Sequence, residues 1–193
     1  MCVFCICRTL KKDIIGLQDH DWAQIVRDRL GVRDQISNES LVKAWQHNFK
    51  DLYPLVQALP GAYELCGALR ERGIPQCIAT SSSAIAVQKK KQVHDKLFAV
   101  MEHVTCGDDI TKGKPDPEIF ELAAKKLGIP PEHCIVFEDS PSGVQAAKRA
   151  GMKTIAVPQE GMDLSRYEEY SDLIIHSLEE FEKHASRFGI DIS

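Results

Sequence analysis

From Pro60 onward, the sequence alternates amphipathic helical patterns with short apolar runs, and this alternation limits the possible folds more than any other feature. The first unit, PGAYELCGALRERG, places Ala62, Leu65 and Leu69 on one helical stripe and closes on Gly73, a typical helix stop. The run IPQCIAT that follows has the length of a strand. Strands that alternate with helices of about ten to fifteen residues predict right-handed crossovers. The sequence therefore predicts an α/β fold in three layers, with a parallel sheet covered by helices on both faces.

The same unit repeats through the rest of the chain. A helix is predicted over about residues 83–98, followed by a strand in MEHVTCG. The segment DPEIFELAAKKLG has Asp116 as its helix cap, Pro117 at the first helical position and Gly128 as its stop. The helix predicted in SPSGVQAAKRAG begins at Ser140. CIVF, KTIAV and DLIIH supply three further predicted strands.

Residues 13–59 differ from the rest of the chain. The segments DHDWAQIVRDRLG and NESLVKAWQHNFKDLYPLV each carry an apolar stripe at helical spacing, with no strand between them. The two stripes are Trp22, Ile25, Val26 and Leu30, and Leu41, Val42, Trp45 and Phe49. We predict a small helical module over residues 13–59, attached to a sheet domain formed by residues 1–12 and 60–193.

The composition is that of a globular protein, in which 44% of the residues are hydrophobic and 27% are charged. The formal net charge of −4 argues against a nucleic-acid partner, because such binding surfaces are basic. Lys89, Lys90 and Lys91 are predicted to form the solvent-exposed face of a helix. The longest apolar runs are far shorter than the ~20 residues that span a bilayer, so no membrane partner is predicted. Seven cysteines, an odd number, favour reduced thiols and a cytoplasmic protein.

Polar and charged side chains follow two of the predicted strands. Thr80 and Ser81 follow IPQCIA, and Glu138 and Asp139 follow CIVF. In open sheets of this kind, ligands bind beyond the carboxyl ends of the strands, so the two ends are expected to share a crevice. Adjacent carboxylates at the edge of an apolar core need a compensating cation, unless they are ordinary turn residues. Lys114 in KGKPDPEIF is a third candidate, but each feature alone is equally typical of a helix cap or a solvated turn.

Taken together and in this order, ATSS, KGKPDPEIF and FEDSPSGVQAAKRAG resemble the haloacid dehalogenase-like superfamily of phosphotransferases. The resemblance covers roughly residues 14–160. It is closest to the branch that holds beta-phosphoglucomutase, small sugar-phosphate phosphatases and pseudouridine-5'-phosphatase. It implies a three-layer Rossmann-like parallel sheet with a small helical cap, shortened here to residues 13–59. It also implies a Mg²⁺-dependent phosphatase that acts on a small phosphorylated metabolite, such as a sugar or nucleoside monophosphate.

The resemblance also implies roles for individual residues. By it, Thr80 and Ser81 hold the phosphate. Lys114 balances the phosphate charge at the catalytic centre, and Glu138 with Asp139 helps to bind Mg²⁺. These roles make physical sense, because phosphoryl transfer depends on positioning and charge neutralisation, which a lysine and a hard cation provide. Mg²⁺ prefers oxygen ligands and keeps several waters, so one or two protein carboxylates are typical.

The sequence departs from the family at the motif D-x-D-G-T, whose first aspartate is the nucleophile and whose second is the general acid and base. No such motif occurs in the 193 residues. At the expected place stands VFCICRTL, which puts Cys5 at the nucleophile position and Cys7 at the second aspartate. A thiolate is not a hard oxygen ligand, and Arg8 replaces a glycine that a tight turn favours. About thirty residues of the usual cap are also absent between Leu10 and Ile14. The expectation is a phosphatase impaired in turnover.

Other interpretations of the same chain stay open. One alternative is a non-catalytic relative that binds a phosphate or a protein partner. Another is a truncated product whose full-length form carries the aspartates. Cys2, Arg8 and Thr9 also match the C-x₅-R-S/T loop of cysteine phosphatases, although VFCIC is an apolar, strand-like run. Cys2 and Cys5 form a C-x-x-C pair with no second pair at zinc-ribbon spacing.

The first strand of the family lies centrally, between the strands that end at Thr80 and Glu138. We predict that Val3, Phe4 and Ile6 fill this slot. If they did not, two strand edges would be left without partners inside the sheet, which is an aggregation hazard.

Overall fold

The computed structural model describes residues 13–192, without the side chains of Lys50 and Asp51. Its helices and strands alternate along the second two thirds of the chain, as the sequence predicts. In chain order they are α1 (Asp19–Leu30), α2 (Asn38–Phe49), α3 (Ala62–Glu71), β1 (Cys77–Ala79), α4 (Ala84–Val93), α5 (Asp95–Ala99), β2 (His103–Thr105), α6 (Glu118–Leu127), β3 (Ile135–Glu138), α7 (Pro141–Arg149), β4 (Lys153–Ala156), α8 (Ser165–Glu168) and β5 (Leu173–Ile174). Short 3₁₀ helices occupy Lys50–Leu55, Gly107–Asp109, Pro131–His133 and Leu178–Phe188.

The strands of the described residues form two parallel sheets. In one, β1 pairs with β2, so that Cys77 lies opposite His103. In the other, the order is β3-β4-β5, with Ile135 opposite Lys153 and Ile155 opposite Leu173. Helices between parallel strands supply the crossovers that such pairing requires. The predicted α/β class with a parallel sheet is confirmed.

The helix boundaries follow local signals in the sequence. Asp116 accepts a hydrogen bond from the Glu118 amide at 3.1 Å at the start of α6. That helix ends at Gly128, whose φ of 70° is unfavourable for residues with a Cβ. At the start of α7, the Ser140 hydroxyl accepts a hydrogen bond from the Gly143 amide at 3.0 Å. The Ser140 cap occurs where the sequence predicts it, whereas α6 begins at Glu118 with Pro117 in the cap position, one residue later than predicted.

One helix prediction is wrong in detail. The single helix expected over about residues 83–98 is two helices, α4 and α5, which are separated at His94 with φ −120° and ψ 40°. The Tyr63 hydroxyl of α3 lies 2.7 Å from the His94 Nδ1 atom. Asp95, a residue type that favours helix starts, follows the break. A tertiary contact therefore accompanies the break, and periodicity could not reveal it.

Apolar side chains pack on both sides of the larger sheet. Leu65, Leu69, Ile155, Ile175 and Phe181 form one cluster, in which Phe137 meets Phe181 edge to face at 4.8 Å between ring centroids. On the other side, a second cluster holds Ile119, Phe120, Ala124, Ala146, Ala147 and Met152. Each large side chain buried in this way contributes about 1.5–3 kcal/mol to stability. This packing holds β3 and α7 rigidly at the rim where polar residues begin.

The described part of the predicted helical module contains α1 and α2 and no strand. Trp22, Ala23 and Val26 are buried between the two helices, and the Trp22 and Trp45 rings lie 5.3 Å apart. Leu30, predicted to belong to the buried stripe, is 57% exposed because it is the last residue of α1. The division into a sheet domain (1–12 and 60–193) and a cap (13–59) stays a prediction.

A slot separates the two sheets within residues 13–192, because β1 and β3 do not pair with each other. An apolar cavity of about 540 Å³ lies there, and its lining includes Cys77, Phe120 and Val136. Val3, Phe4 and Ile6 lie outside the described residues, so their placement in the slot stays a prediction. Over residues 13–192, no helix has the length and apolarity to cross a membrane.

Candidate functional site

A pocket of about 450 Å³ opens at the carboxyl ends of β1 and β3. All five of the described residues singled out in the sequence line it: Thr80, Ser81, Lys114, Glu138 and Asp139. Residues far apart in the chain converge here because the ends of parallel strands meet at one rim of a sheet. The first turn of α1 and the segment before it contribute Gly16, Leu17, Asp19 and Trp22 to the same pocket.

The Lys114 ammonium forms an ion pair with Oε1 of Glu138. Both side chains are buried, with only 4% and 8% of their surface exposed. The same ammonium lies 3.5 Å from the Ala79 carbonyl oxygen at the end of β1 and 4.8 Å from the Phe120 ring centroid. Lys114 thus sits between the ends of β1 and β3, with its charge compensated by Glu138.

The Glu138 carboxylate lies against the N-terminus of α7. Its Oε2 atom accepts hydrogen bonds from the Ser140 amide and the Ser140 hydroxyl, both at 2.9 Å. A Cβ at Gly143 would fall 2.0 Å from the Glu138 Cδ atom, so only glycine allows this close approach. Burial raises the pKa of Glu138, but the charge of Lys114 and the bonds from Lys114 and Ser140 outweigh it, so that the pKa is lowered. Glu138 is therefore held as a carboxylate with both oxygens occupied.

Asp139 is in the opposite electrostatic situation. Burial and the neighbouring negative charge of Glu138 raise the pKa of Asp139, although a hydrogen bond from Gln159 and the charge of Lys114 oppose the rise. Its Oδ2 atom accepts that bond at 3.0 Å, and its main-chain carbonyl accepts one from the Tyr167 hydroxyl at 2.9 Å. The carboxylate faces the pocket with its negative charge incompletely balanced, which is an environment that a cation would stabilise.

The residues of the pocket can be tested against the implied Mg²⁺. Within residues 13–192, no group of three or more His, Cys, Asp or Glu side chains could hold a metal ion. Glu138 is bound to Lys114 and Ser140, so Asp139 is the carboxylate of the expected pair with the greater need for a cation. This donor set fits an ion that takes one or two protein carboxylates and keeps waters and substrate oxygens as its other ligands.

The hydroxyls that follow β1 are not equivalent. Thr80 Oγ1 accepts a hydrogen bond from the Ser82 amide at 3.2 Å, and the Thr80 amide donates to the Thr105 carbonyl at 2.9 Å. The Ser81 hydroxyl donates to the Gly16 carbonyl at 2.8 Å, so its proton is already used. A hydroxyl has one proton to donate, and among the described residues the proton of Thr80 has no acceptor, so Thr80 can donate to a ligand, whereas Ser81 cannot.

A tight turn at Gly16 closes one side of the pocket. Its φ is 81°, and a Cβ there would fall 2.2 Å from the Ser140 hydroxyl oxygen and 2.9 Å from that of Ser142. Ser142 also donates a long hydrogen bond of 3.5 Å to the Ile15 carbonyl. Together with the Ser81 bond, these contacts attach the turn to the residues that follow β1 and β3.

The first turn of α1 places a carboxylate on the pocket wall. Asp19 Oδ1 accepts a hydrogen bond from the Trp22 indole N–H at 3.0 Å, and Oδ2 accepts one from Gln46 at 3.1 Å. Gln18 donates to the Gly107 carbonyl at 2.9 Å, which ties this turn to the loop after β2. Gly16 and Asp19 are not among the residues predicted from the sequence, because the elements that bring them to the pocket, such as Ser81 for Gly16 and Gln46 for Asp19, lie far away in the chain.

The prediction that Lys89, Lys90 and Lys91 share a solvent-exposed face is wrong for Lys89 and Lys90, which are both half-buried. Lys90 is half-buried, and its ammonium donates to the Ser82 hydroxyl at 2.9 Å. Lys89 instead lies over the Tyr53 ring at 5.0 Å, and Lys91 is exposed. Successive helix residues are about 100° apart, so three in a row cannot share one face. The spacing of three successive lysines on a helix could therefore have predicted that at least one of them faces inward.

The remaining predictions about cysteines concern two parts of the chain, residues 1–12, which the structure does not describe, and the residues from 13 onward. Cys5 at the nucleophile position, Cys7, and the alternatives involving Cys2, Arg8 and Thr9 all lie outside the described residues. The cysteines in the described part of the chain are Cys66, Cys77, Cys106 and Cys134, and all carry free thiols. Burial raises the pKa of each of these thiols, to about 11 at Cys77, which is typical of packing residues rather than nucleophiles.

Sequence comparisons identify the relatives of this chain. Residues 12–151 match a family model described as haloacid dehalogenase-like hydrolase. The chain is 38% identical over 178 residues to (DL)-glycerol-3-phosphatase 1, mitochondrial, of Arabidopsis thaliana, covering 90% of this chain and 59% of that protein. It is 33% identical over 186 residues to the probable pseudouridine-5'-phosphatase of Drosophila melanogaster, covering 94% of this chain and 78% of that protein.

The fold is also that of a solved structure. The beta-phosphoglucomutase of Clostridium difficile superposes with a TM-score of 0.80 at 19% identity, covering 95% of this chain and 82% of that one. At this identity the likeness shows the three-layer α/β fold alone. That fold carries the pocket at the expected rim of the parallel sheet.

Proposed function

This chain belongs to the haloacid dehalogenase-like hydrolase family, and we propose that its pocket binds small phosphorylated metabolites in the manner of the family's phosphatases. The relatives named as phosphatases of glycerol 3-phosphate and pseudouridine 5'-phosphate support this class of ligand. The chain spans 59% of the first of these proteins, so the proposal concerns the pocket that the chain itself carries.

One observation carries the proposal. Thr80, Lys114 and Asp139, from three separate segments, line a single pocket at the rim of the sheet. A hydroxyl donor, an ammonium and a carboxylate suited to a cation are the groups needed to hold a phosphate dianion and its counter-ion. The Ser81 hydroxyl is bound to the Gly16 carbonyl, so we propose the main-chain N–H of Ser81 as its contribution to phosphate binding.

Mg²⁺ is part of the proposal, with Asp139 as its protein ligand in the described residues. When bound, the ion neutralises charge on the phosphate oxygens. Glu138 acts differently from the sequence-based expectation, because its carboxylate holds Lys114 in place and accepts two hydrogen bonds from Ser140. Because Lys114 is fixed in this way, it presents a localised positive charge to the phosphate without changing its side-chain conformation.

Turnover is proposed to be close to background. The resemblance implies an aspartate nucleophile, and Cys5 stands at that position in the sequence. Removing a nucleophile costs on the order of a millionfold in turnover where it has been measured in a serine protease. The residues described here bind and neutralise a phosphate, but none of them is placed as a replacement nucleophile in the proposal.

Calorimetry tests the binding. Glycerol 3-phosphate and inorganic phosphate are titrated into the protein with and without Mg²⁺, with glycerol as the ligand that lacks the phosphate. We expect saturable binding of both phosphates, strengthened by Mg²⁺, and no binding of glycerol. Asp139→Asn removes the strengthening by Mg²⁺ but keeps part of the binding. A protein that binds no phosphate in either condition contradicts the proposal.

Hydrolysis of p-nitrophenyl phosphate tests the impaired turnover. We expect a rate near that of the buffer with Mg²⁺ present, for the chain and for Asp139→Ala alike. Robust turnover that Asp139→Ala abolishes would overturn this part of the proposal and leave the binding intact. Binding without turnover identifies the non-catalytic relative that the sequence left open.

A further inference from the structure

Lys90 is a half-buried lysine that forms no ion pair with any described side chain. Its ammonium donates to the Ser82 hydroxyl at 2.9 Å, and no carboxylate lies within ion-pair distance of it among the side chains that the structure describes, which do not include Asp51. Burial lowers the pKa of Lys90, although the charge of Asp139 opposes the effect. A desolvated cation without a partner is costly, so a position that keeps one calls for a functional explanation.

The contact with Ser82 connects Lys90 to the pocket. Ser82 lines the pocket beside Thr80 and Ser81, whereas Lys90 lies behind it on α4. An ammonium has no acceptor atom, so the Ser82 oxygen must accept in this bond. The hydroxyl proton of Ser82 then needs a different acceptor, and no residue of the described part of the chain provides one. The pocket is the place where a ligand oxygen would meet this proton.

Ser82 is also fixed by its main chain. Its amide donates to Thr80 Oγ1 at 3.2 Å, and its carbonyl accepts a hydrogen bond from the Gly107 amide at 2.9 Å. A Cβ at Gly107 would fall 2.5 Å from the Ser81 carbonyl oxygen, so the loop after β2 packs closely on this turn. The hydroxyl of Ser82 is therefore held at one place on the pocket wall, with the ammonium behind it.

We propose that Lys90 is a positioning residue of the phosphate pocket, which orients the Ser82 hydroxyl as a donor to a bound phosphate and adds a positive charge behind it. The inference rests on the proposed function, because it assigns a second cationic element to the same pocket. Lys114 and Lys90 then approach the phosphate from two sides. Lys114 shares its charge with its partner Glu138, whereas Lys90 forms no ion pair with a described side chain and so adds a second positive charge at the pocket.

The experiment measures the affinity for inorganic phosphate by calorimetry in four proteins: wild type, Lys90→Met, Ser82→Ala and the double variant. Lys90→Met is expected to weaken binding by about tenfold, the size of a charge-assisted hydrogen bond. Because Lys90 acts in part through Ser82, the loss of binding free energy in the double variant should be smaller than the sum of the two single losses. Lys90→Arg, which keeps the charge and donors, should retain most of the affinity.

Lys91→Met is the matched control, since Lys91 is exposed on the same helix. It should leave phosphate affinity unchanged. Thermal unfolding without ligand gives an independent readout, in which Lys90→Met should raise the midpoint by relieving the uncompensated charge. A purely structural lysine would instead lower it. This measurement also shows that the variant folds.

The outcomes separate the two proposals. If wild type binds phosphate and Lys90→Met binds it equally well, or if Lys91→Met loses as much affinity, the role of Lys90 is refuted and the proposed function stands. If wild type binds no phosphate, the proposed function falls and this inference falls with it.

Discussion

The ammonium of Lys114 and the carboxylate of Glu138 form a buried ion pair that joins the end of β3 to the segment before α6. The two residues were predicted from the sequence to serve different ligands, a phosphate and a metal ion. In the structure they are each other's partners. This arrangement determines how the pocket responds to mutation, pH and cations.

Removing one partner of this pair should be strongly destabilising. Lys114→Met leaves a buried carboxylate without a counter-charge, and the expected loss is about 3–5 kcal/mol in the free energy of unfolding. The double variant Lys114→Met/Glu138→Gln should recover part of that loss, because neither charge is then left alone. Urea unfolding measures all three. Arg70→Met, which removes the exposed ion pair with Glu102, is the control and should change stability little. Equal effects of the buried and exposed variants would contradict the assignment.

Glu138 and Asp139 should give stability opposite dependences on pH. The pKa of Glu138 is lowered, so its contribution is present above about 4.5 and is lost as pH falls through the folded-state pKa. The pKa of Asp139 is raised, so its contribution is present below about 3.8 and is lost as pH rises through the folded-state pKa. Asp139→Asn should therefore become more stable relative to wild type as pH rises toward 7. Urea unfolding of both proteins at several pH values measures this difference.

Mg²⁺ should remove the gain in stability that Asp139→Asn has over wild type at pH 7. A divalent cation beside Asp139 favours its charged form, so wild type gains stability with added Mg²⁺ at pH 7 and the variant gains much less. Thermal midpoints with and without the ion are compared at equal ionic strength, with Na⁺ as the control. If both proteins gain equally, Asp139 is not the residue at which the ion binds.

Gly143 should tolerate no side chain. Gly143→Ala would place a Cβ 2.0 Å from the Glu138 Cδ atom, so Glu138 or α7 must move, at a cost of about 1–3 kcal/mol in the free energy of unfolding. Gly67→Ala is the matched control, because Gly67 lies within α3 with open space around it. That change should stabilise the protein by about 0.5–1 kcal/mol. Urea unfolding shows whether each variant is less or more stable than wild type. If Gly143→Ala leaves the free energy of unfolding unchanged, Glu138 is not held against α7.

The slot between β1 and β3 should be closed by residues 3–6. If Val3, Phe4 and Ile6 pair there, hydrogen exchange at the amides of β1 and β3 is slow in wild type. Phe4→Asp should speed exchange in both strands and leave β5 unchanged, because a charge is not tolerated in an apolar slot. Lys11→Asp, outside the predicted strand, is the control. Equally fast exchange in wild type and Phe4→Asp would show that the segment does not occupy the slot.

The sequence predicted the parts of this fold that depend on local signals. Gly128 and Ser140 end and begin helices through their own backbone and side-chain chemistry, and the rim of a parallel sheet brings strand ends together whatever lies between them. The pairing of Lys114 with Glu138 could not be predicted, because it depends on the distance between two elements 24 residues apart. The same is true of Gly16, whose contact with Ser81 spans 65 residues. Lys90 was open to prediction from helix geometry alone.

The Gly16 turn has a consequence for how the two sheets hold together. It is bonded to Ser81 after β1 and contacts Ser140 and Ser142 after β3, so a single reversal of the chain spans both halves of the molecule at the mouth of the pocket. By linkage, a ligand that binds only when the two halves are joined would stabilise their association, and a change that separates the halves would weaken its binding. Ligand binding in the pocket and the association of the two halves are then thermodynamically coupled.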